Sequence, residues 1–519
     1  MFYFYSLGFL WFLRETKALL FWLYLWQLKE YHWGRFSDHF RTEKGKRIFW
    51  NPIFILKILL VSSAFFSFSS KVFLLWYFYA GWIFILALVY FFESLKGLKE
   101  IFQRALKKPV LTLKTLFLIL IVIVLELLLL SLLFREFYFF IPQNIYWLTF
   151  YLPLQKIYWF IFYLLVFDVL TPIVVTISVF VAHALSVIFF RNPLIKKAKK
   201  KRTSFKNLLV IGVTGSYGKT STKEFLRQIL SQKFKVLSTE EHQNSEVGIS
   251  MSVLSNLKPE HEIFIVEMGA YNKGGIKLLC DITRPQIGIV TGVNEQHLAT
   301  FGSMENLLSA EGGKELIKSL PEDGLAFFNS KNEYCRELYE KTKIKKFLYG
   351  KNVELAGLEN IEGAKIVAKE LGMTDEEIKK GLSKIQNQFP GVQVKKNKDG
   401  LNIIDASYSA NPDSVIAHLE YLKTFSGKRI IVMPCLIELG KVSSKIHKKI
   451  GEKISEVCDF SIITTKERFK EIQEKAGNKA VFIENPKEIF ERIKKFFKPG
   501  DNLLIEGRVP KSLMRLLGI

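Results

Sequence analysis

Hydrophobic and polar positions divide the chain into two parts with different periodicities. Through residues 1–190 apolar side chains run almost unbroken, over lengths suited to bilayer-spanning helices, which need about 20 residues. The run "TLFLILIVIVLELLLLSLLF" (115–134) is interrupted only by Glu126. Residues 73–92 form a second span, and 52–70 a third, with Lys57 near its start. Residues 145–190 contain Pro153, Asp168 and Pro172, and read as one kinked span or a hairpin. The first 28 residues are apolar but broken by "RETK", which assigns them to the membrane interface. Glu126, Asp168 and His183 stand inside apolar sequence, where an ionisable group is either functional or packs polar groups together. No basic segment and small-residue cleavage site precede the spans, so a cleavable signal peptide is not expected.

From about residue 196 the pattern changes. Short apolar runs at 208–213, 263–266 and 287–290 alternate with amphipathic stretches, the signature of buried parallel strands linked by helices. Beyond residue 391 the runs "LNIIDA", "RIIVMP", "FSIITT" and "NLLIEG" alternate with helices predicted at 412–424, 443–457 and 486–497. The fold class is therefore a helical transmembrane domain plus α/β. The expected order is a membrane domain (1–195), a phosphate-loop α/β domain (205–350), a helical joint (351–390) and a Rossmann-like C-terminal domain (391–519).

Composition adds the orientation. The 519 residues carry a net charge of +24, with a pI near 9.5. The basic residues are dispersed and no nucleic-acid motif is present, so no nucleic-acid partner is expected. The densest run, "RNPLIKKAKKKRTSFKN" (191–207), has eight Lys/Arg and no acid. It reads as a cytoplasmic flank drawn to anionic membrane lipid or as a solvated linker. Basic loops at 29–47 and 94–114 belong on the same side, giving a multi-pass cell-membrane protein with its α/β domains in the cytosol. The four cysteines form no CxxC pair, so neither a zinc site nor a disulfide framework is expected.

The stretch "GVTGSYGKTST" (212–222) follows a strand and opens an amphipathic helix. Gly215, Ser216, Tyr217, Gly218, Lys219, Thr220 and Ser221 form a loop whose backbone N–H groups wrap phosphate oxygens of ATP. Lys219 reaches the terminal phosphates and the Thr220 hydroxyl meets Mg²⁺. Glu267 ends one strand and His297 follows another, where doubly wound sheets place ligands. Alone, the first reads equally as a surface charge and the second as a loop histidine. Their joint placement makes Thr220, Glu267 and His297 the candidate metal set.

These segments resemble the Mur ligases, ATP-dependent amide-forming enzymes of peptidoglycan precursor synthesis. Besides the phosphate loop, the resemblance rests on "HQNSEVGISMSVL" (242–254), on the segment through Glu267, and on "NEQHLATFGSMENL" with His297. It continues through "IDASYSANPDSV" (404–415) and "IELG" followed by His447. The most similar subgroup adds a D-alanyl-D-alanine dipeptide to a UDP-linked muramoyl tripeptide. The resemblance implies catalysis by Lys219, Glu267 and His297, with Asn294, Asp405, Tyr408 and Asn411 facing the nucleotide. By itself "SANPDS" reads as a helix N-cap with proline at the helix start, and it serves both purposes.

Several positions depart from the family. No UDP-binding domain is recognisable; the apolar half stands in its place. Ungapped counting puts Glu311 where the family has a carbamylated lysine, and Lys314 takes that role if the helix shifts by three residues. The usual Gly-Arg appears as Gly391 and Val392, a family aspartate is Ala406, and two family asparagines are Ser409 and Gly292, with Asn294 near the latter. A family segment after "FLYG" (347–350) is missing. The implied function is a membrane-anchored carboxylate–amine ligase working through an acyl phosphate, with ATP and Mg²⁺. Its acceptor is a peptidoglycan precursor and its amine an amino acid or dipeptide. The alternatives are a ligase building a poly-amino acid such as poly-γ-glutamate, and a nucleotide-binding membrane scaffold without ligase activity.

Overall fold

The computed structural model describes residues 2–29, 31, 33–40, 42–69, 76–103, 106–139, 151–240, 243–351, 353, 358–384, 392–407 and 410–518. They form two compact units, Met1–Phe190 and Arg191–Ile519.

The first unit is helical. Its long helices are Phe2–Leu28, Pro52–Ser69, Trp76–Phe102, Leu113–Phe139 and Tyr151–Ser186. The described part of the 145–190 stretch is a single helix with Pro172 inside it, so the hairpin alternative does not apply over Tyr151–Ser186. The first helix is central to this unit. Leu23 and Trp26 are fully buried, and the Trp11 indole donates to the Leu164 carbonyl at 2.9 Å. The charges that suggested an interface face inward: Arg14 pairs with Asp168, and the Thr171 hydroxyl donates to Glu15 at 2.5 Å. Lys57 joins the cluster, 2.7 Å from Asp168 and 2.5 Å from Glu93. Meanwhile Phe84, Phe92, Leu120, Leu127 and Ile173 point outward. This charged cluster lies inside the unit, and these large apolar groups lie outside. Among the described residues, Gly81–Phe102 and Phe160–Ser204 contain stretches long and apolar enough to cross a membrane, and Pro52–Ala64 is a shorter apolar helix.

The second unit carries two sheets. The first comprises β1 (Leu209–Thr214), β2 (Val236–Ser238), β3 (Ile263–Glu267), β4 (Ile287–Val290), β5 (Leu325–Asn329) and β6 (Lys345–Tyr349). Its order is β2-β3-β1-β4-β5-β6, and every pairing is parallel. Central strands buried on both faces explain the continuous apolar runs. The second comprises β7 (Gln393–Lys396), β8 (Asn402–Ala406), β9 (Arg429–Met433), β10 (Phe460–Ile463), β11 (Ala480–Phe482) and β12 (Asn502–Glu506). Its order is β11-β10-β9-β12-β8-β7, parallel except for β7.

Two connecting segments prove to be structural parts of the first sheet's domain. The helices Glu359–Glu370 and Asp375–Ser383, expected as a joint, bury Val367, Ala368 and Ile378 in the same cluster as Ile211, Val213 and Leu226. The basic run forms the helix Asn192–Ser204, with Ile195, Ala198 and Arg202 buried at helical spacing. Ile195 and Ala198 join the core beside Phe264 and Leu279. The Arg202 guanidinium donates to the carbonyls of Thr283 (2.7 Å), Phe205 (2.8 Å) and Leu208 (3.2 Å). Three carbonyl acceptors stabilise a buried cation without a carboxylate. The run is thus a docked helix, which excludes the solvated-linker reading; Lys196, Lys197 and Lys200 remain exposed on its outer face.

Candidate functional site

Strand β1 ends at Thr214, and the chain turns through Gly215–Gly218 into the helix Lys219–Leu230. Gly218 has φ +76°, and a Cβ there would meet Asn360 Nδ2 at 2.9 Å, so both conformation and space require glycine. No side chain caps this helix. Its first N–H groups have no intrahelical acceptor, and the helix dipole adds positive potential; together these make an anion site. The loop lies at the carboxyl end of β1, between β3 and β4, where the strand order reverses.

The loop is held from behind. Ser216 is buried, its N–H donating to the Gly292 carbonyl at 2.7 Å and its hydroxyl lying 3.4 Å from the Asn294 carbonyl. The Thr291 hydroxyl sits within reach of the carbonyls of Thr214 (3.1 Å) and Tyr217. Burial pushes the Tyr217 phenol well above its usual range, and its oxygen accepts from Asn332 Nδ2 at 3.4 Å. A Cβ on Gly292 would lie 2.3 Å from the Tyr217 ring. Packing of Tyr217 therefore explains the glycine found in place of the family asparagine. Thr220 and Ser221 are half-buried in the first helical turn.

Lys219 Nζ bonds the Gly215 carbonyl at 2.5 Å and stands 4.0 Å from Glu311 Oε1. The other Glu311 oxygen lies 3.0 Å from His297 Nδ1. Glu311 is 2% exposed. Burial opposes its charge, but His297 and Lys219 outweigh that penalty and hold the carboxyl below its usual value. Lys314 begins the helix Lys314–Ser319 and is half-buried. Glu311, rather than Lys314, is the residue against His297.

Glu267 belongs to a separate pairing. Its Oε1 accepts from Asn244 Nδ2 at 3.1 Å, its Oε2 lies 3.3 Å from Lys223 Nζ, and its N–H donates to Thr239 at 3.1 Å. Among the described residues no three His, Cys, Asp or Glu side chains form a preformed metal cage. An all-oxygen site using one or two carboxylates plus phosphates suits Mg²⁺. Glu267, already facing the Lys223 ammonium, fits that requirement, with Thr220 at the loop. His297 is engaged by Glu311.

The C-terminal domain meets this site directly. Asn294 Nδ2 donates to Asn411 Oδ1 (3.1 Å) and Asp413 Oδ2 (2.8 Å), while its Oδ1 accepts from Gln296 N–H. Asn411 N-caps the helix Pro412–Lys423 through a capping box with Ser414. Gln296 reaches the Ala410 carbonyl at 3.3 Å, and the Ala299 N–H donates to the Glu438 carbonyl at 3.1 Å. Burial raises the Asp413 carboxyl, opposed by the Asn294 hydrogen bond. Asp405 stands next to the end of β8 and accepts from the Ser407 N–H at 3.0 Å, shaping the turn beyond it. His447 is fully buried; Nε2 accepts from Leu436 N–H at 2.9 Å and Nδ1 donates to the Ser443 carbonyl at 2.6 Å. It is a packing residue. Tyr408, with His242, Gly391 and Ser409, lies outside the described residues.

Sequence reasoning missed Lys223 and Asp413. The spacing of Lys223, four residues after Lys219, was the one available signal for a shared helix face. For Asp413 the helix-start pattern offered a complete local explanation.

Comparison with known proteins agrees with this geometry. Residues 213–398 match the Mur ligase middle domain and 392–509 the Mur ligase, glutamate ligase domain. The chain is 30% identical over 278 residues to the UDP-N-acetylmuramoyl-tripeptide–D-alanyl-D-alanine ligase of Bacillus subtilis, covering 47% of this chain and 60% of that protein. It is 30% identical over 283 residues to the Escherichia coli ligase of the same name, covering 47% and 61%. The chain thus spans about 60% of the length of these curated relatives. The crystal structure of the MurF ligase from Thermotoga maritima in complex with ADP superposes with a TM-score of 0.56 at 27% identity, covering 63% of this chain and 84% of that one. Through these middle and C-terminal domains the chain belongs to the Mur ligase family.

Proposed function

We propose that the protein is a membrane-anchored, ATP-dependent carboxylate–amine ligase that extends a peptidoglycan precursor by an amino acid or dipeptide. The observation that carries this reading is the convergence of Lys219, Glu311 and His297 beside an uncapped helix N-terminus, at the seam where Asn294 meets Asn411 and Asp413. In this reading the loop N–H groups and Lys219 hold the triphosphate and neutralise charge as the γ-phosphoryl group passes to the substrate carboxylate. The amine then displaces phosphate from the acyl phosphate, forming the amide. Glu267 and Thr220 would hold Mg²⁺, which would supply charge neutralisation at the phosphate oxygens. Glu311 keeps His297 oriented in the walls of the cleft. Contacts across the seam exclude water from the acyl phosphate.

The relatives' names supply the substrate class: a muramoyl peptide acceptor and a D-alanyl-D-alanine amine. Membrane anchoring is supported by the helical unit, whose Glu15, Lys57 and Asp168 are buried while large apolar groups such as Phe84, Leu120 and Ile173 are exposed. Anchoring places the α/β domains on the cytosolic face, where ATP is. The test is ADP release by the purified full-length protein, screened over UDP-linked and lipid-linked muramoyl peptides with D-alanyl-D-alanine or single amino acids. Acceptor-dependent ADP release, abolished in Lys219→Ala, supports the reading. Nucleotide binding without acceptor-dependent turnover overturns it in favour of a scaffold, and repeated addition to one acceptor favours a poly-amino-acid ligase.

A further inference from the structure

We propose that Lys223 is a resident counter-ion that holds Glu267 in the nucleotide-free protein and makes divalent-cation binding there conditional on nucleotide. This rests on Glu267 being a cation ligand, as read above. Lys223 is 3% exposed, and Glu267 Oε2 lies 3.3 Å from its Nζ. The second carboxylate oxygen is held by Asn244 at 3.1 Å, and the Glu267 N–H by Thr239 at 3.1 Å. Two separate segments therefore hold the carboxylate and a third its backbone, and among the described residues Lys223 supplies the positive charge in direct contact with it.

The physical consequence follows from placement. A buried ammonium is costly unless an anion lies against it, and Glu267 is that partner for Lys223 at 3.3 Å. A divalent cation arriving alone at Glu267 meets this ammonium and gains only by displacing or repelling it. Lys223 sits one turn after Lys219, on the helix whose N-terminus faces the phosphate loop. Bound phosphates bring negative charge to that end of the helix, which offsets the repulsion between Lys223 and the cation. Nucleotide and cation are then thermodynamically coupled through Lys223, a positioning residue that touches neither reacting atom.

The experiment measures Mn²⁺ binding to the full-length protein by the loss of the free-ion electron paramagnetic resonance signal, with and without a non-hydrolysable ATP analogue. Lys223→Met is expected to tighten nucleotide-free Mn²⁺ binding by about tenfold or more, and to shrink the gain from the analogue by the same factor. Lys223→Arg, which keeps the charge, retains the coupling. Lys223→Gln, whose amide keeps a hydrogen bond to Glu267, serves if the methionine variant does not fold. Nucleotide-free Mn²⁺ affinity unchanged from the parent in the folded neutral variant overturns the proposal. Glu267→Gln separates the two readings: Mn²⁺ binding that survives in this variant overturns Glu267 as a ligand, whatever Lys223 does.

Discussion

His297 Nδ1 lies 3.0 Å from Glu311 Oε2, and these residues are 14 apart in sequence. The contact joins the loop after β4 to the residue that ungapped counting sets at the place of the family's modified lysine. A carboxylate offers the same anionic oxygens as a lysine carbamate without CO₂. Activity is therefore expected to be unchanged when bicarbonate and CO₂ are removed. Glu311→Gln is expected to lower turnover by about 10–100-fold, and Lys314→Ala to leave it near the parent rate. Bicarbonate-dependent turnover that disappears in Lys314→Ala would assign the role to Lys314 instead.

The same carboxylate sets an acid limit to stability. Its folded pKa lies below its ordinary 4.5. Between the folded value and 4.5 the unfolded chain binds more protons, so stability falls with falling pH across that window. The contribution is complete above the unfolded value and lost once pH passes below the folded one. Thermal unfolding of the parent is expected to be more acid-sensitive below about pH 4.5 than that of Glu311→Gln. Parallel melting curves for the two proteins over that range would remove Glu311 from the account.

Gly292→Ala tests the packing behind the phosphate loop. The new Cβ would fall 2.3 Å from the Tyr217 ring, which is largely buried and cannot yield without moving the loop. Overpacking of this kind destabilises by about 1–3 kcal/mol. The expected result is a lower melting temperature together with weaker ATP binding by calorimetry. Binding at parent affinity would show that the loop tolerates displacement of Tyr217.

Asn294→Ala should loosen the seam between the two α/β domains. It removes the donor to Asp413 Oδ2 at 2.8 Å, leaving that buried acceptor unpaired at about 1–3 kcal/mol, and one of the donors to Asn411 Oδ1, which keeps the Asp413 and Ser414 N–H groups. Small-angle scattering should report a more extended protein, and KM for the amine substrate should rise more than kcat falls. An unchanged scattering profile would assign closure to the Ala299–Glu438 and Gln296–Ala410 contacts.

In the helical unit, Asp168→Asn leaves Arg14 and Lys57 without their shared buried carboxylate. Breaking one side of a buried ion cluster is destabilising by about 3–5 kcal/mol. Unfolding in detergent micelles is expected at markedly lower temperature, partly recovered by adding Lys57→Met. A melting temperature equal to the parent's would show the cluster to be energetically neutral.

The Gly-rich loop, both α/β domains and the positions of Glu267 and His297 at strand ends are legible in the residues alone. These are local: a strand, a turn that needs glycine and a helix start are written in consecutive residues. The sequence also located the apolar segments, because helix-length runs are visible without knowing their neighbours. Which residues meet depends on how the elements pack. Periodicity reports that a face is apolar but not what it packs against, so the basic run read as a flank or linker until Ile195 and Ala198 were seen in the core. Charge carries the same ambiguity: Arg14 is one residue type whether it faces water or Asp168. Glu311 and Lys314 are separated by three positions, within one another's alignment error. The structure sets Glu311 against His297, and the burial of Lys223 against Glu267 joins two charges 44 residues apart by numbering that no local pattern connects.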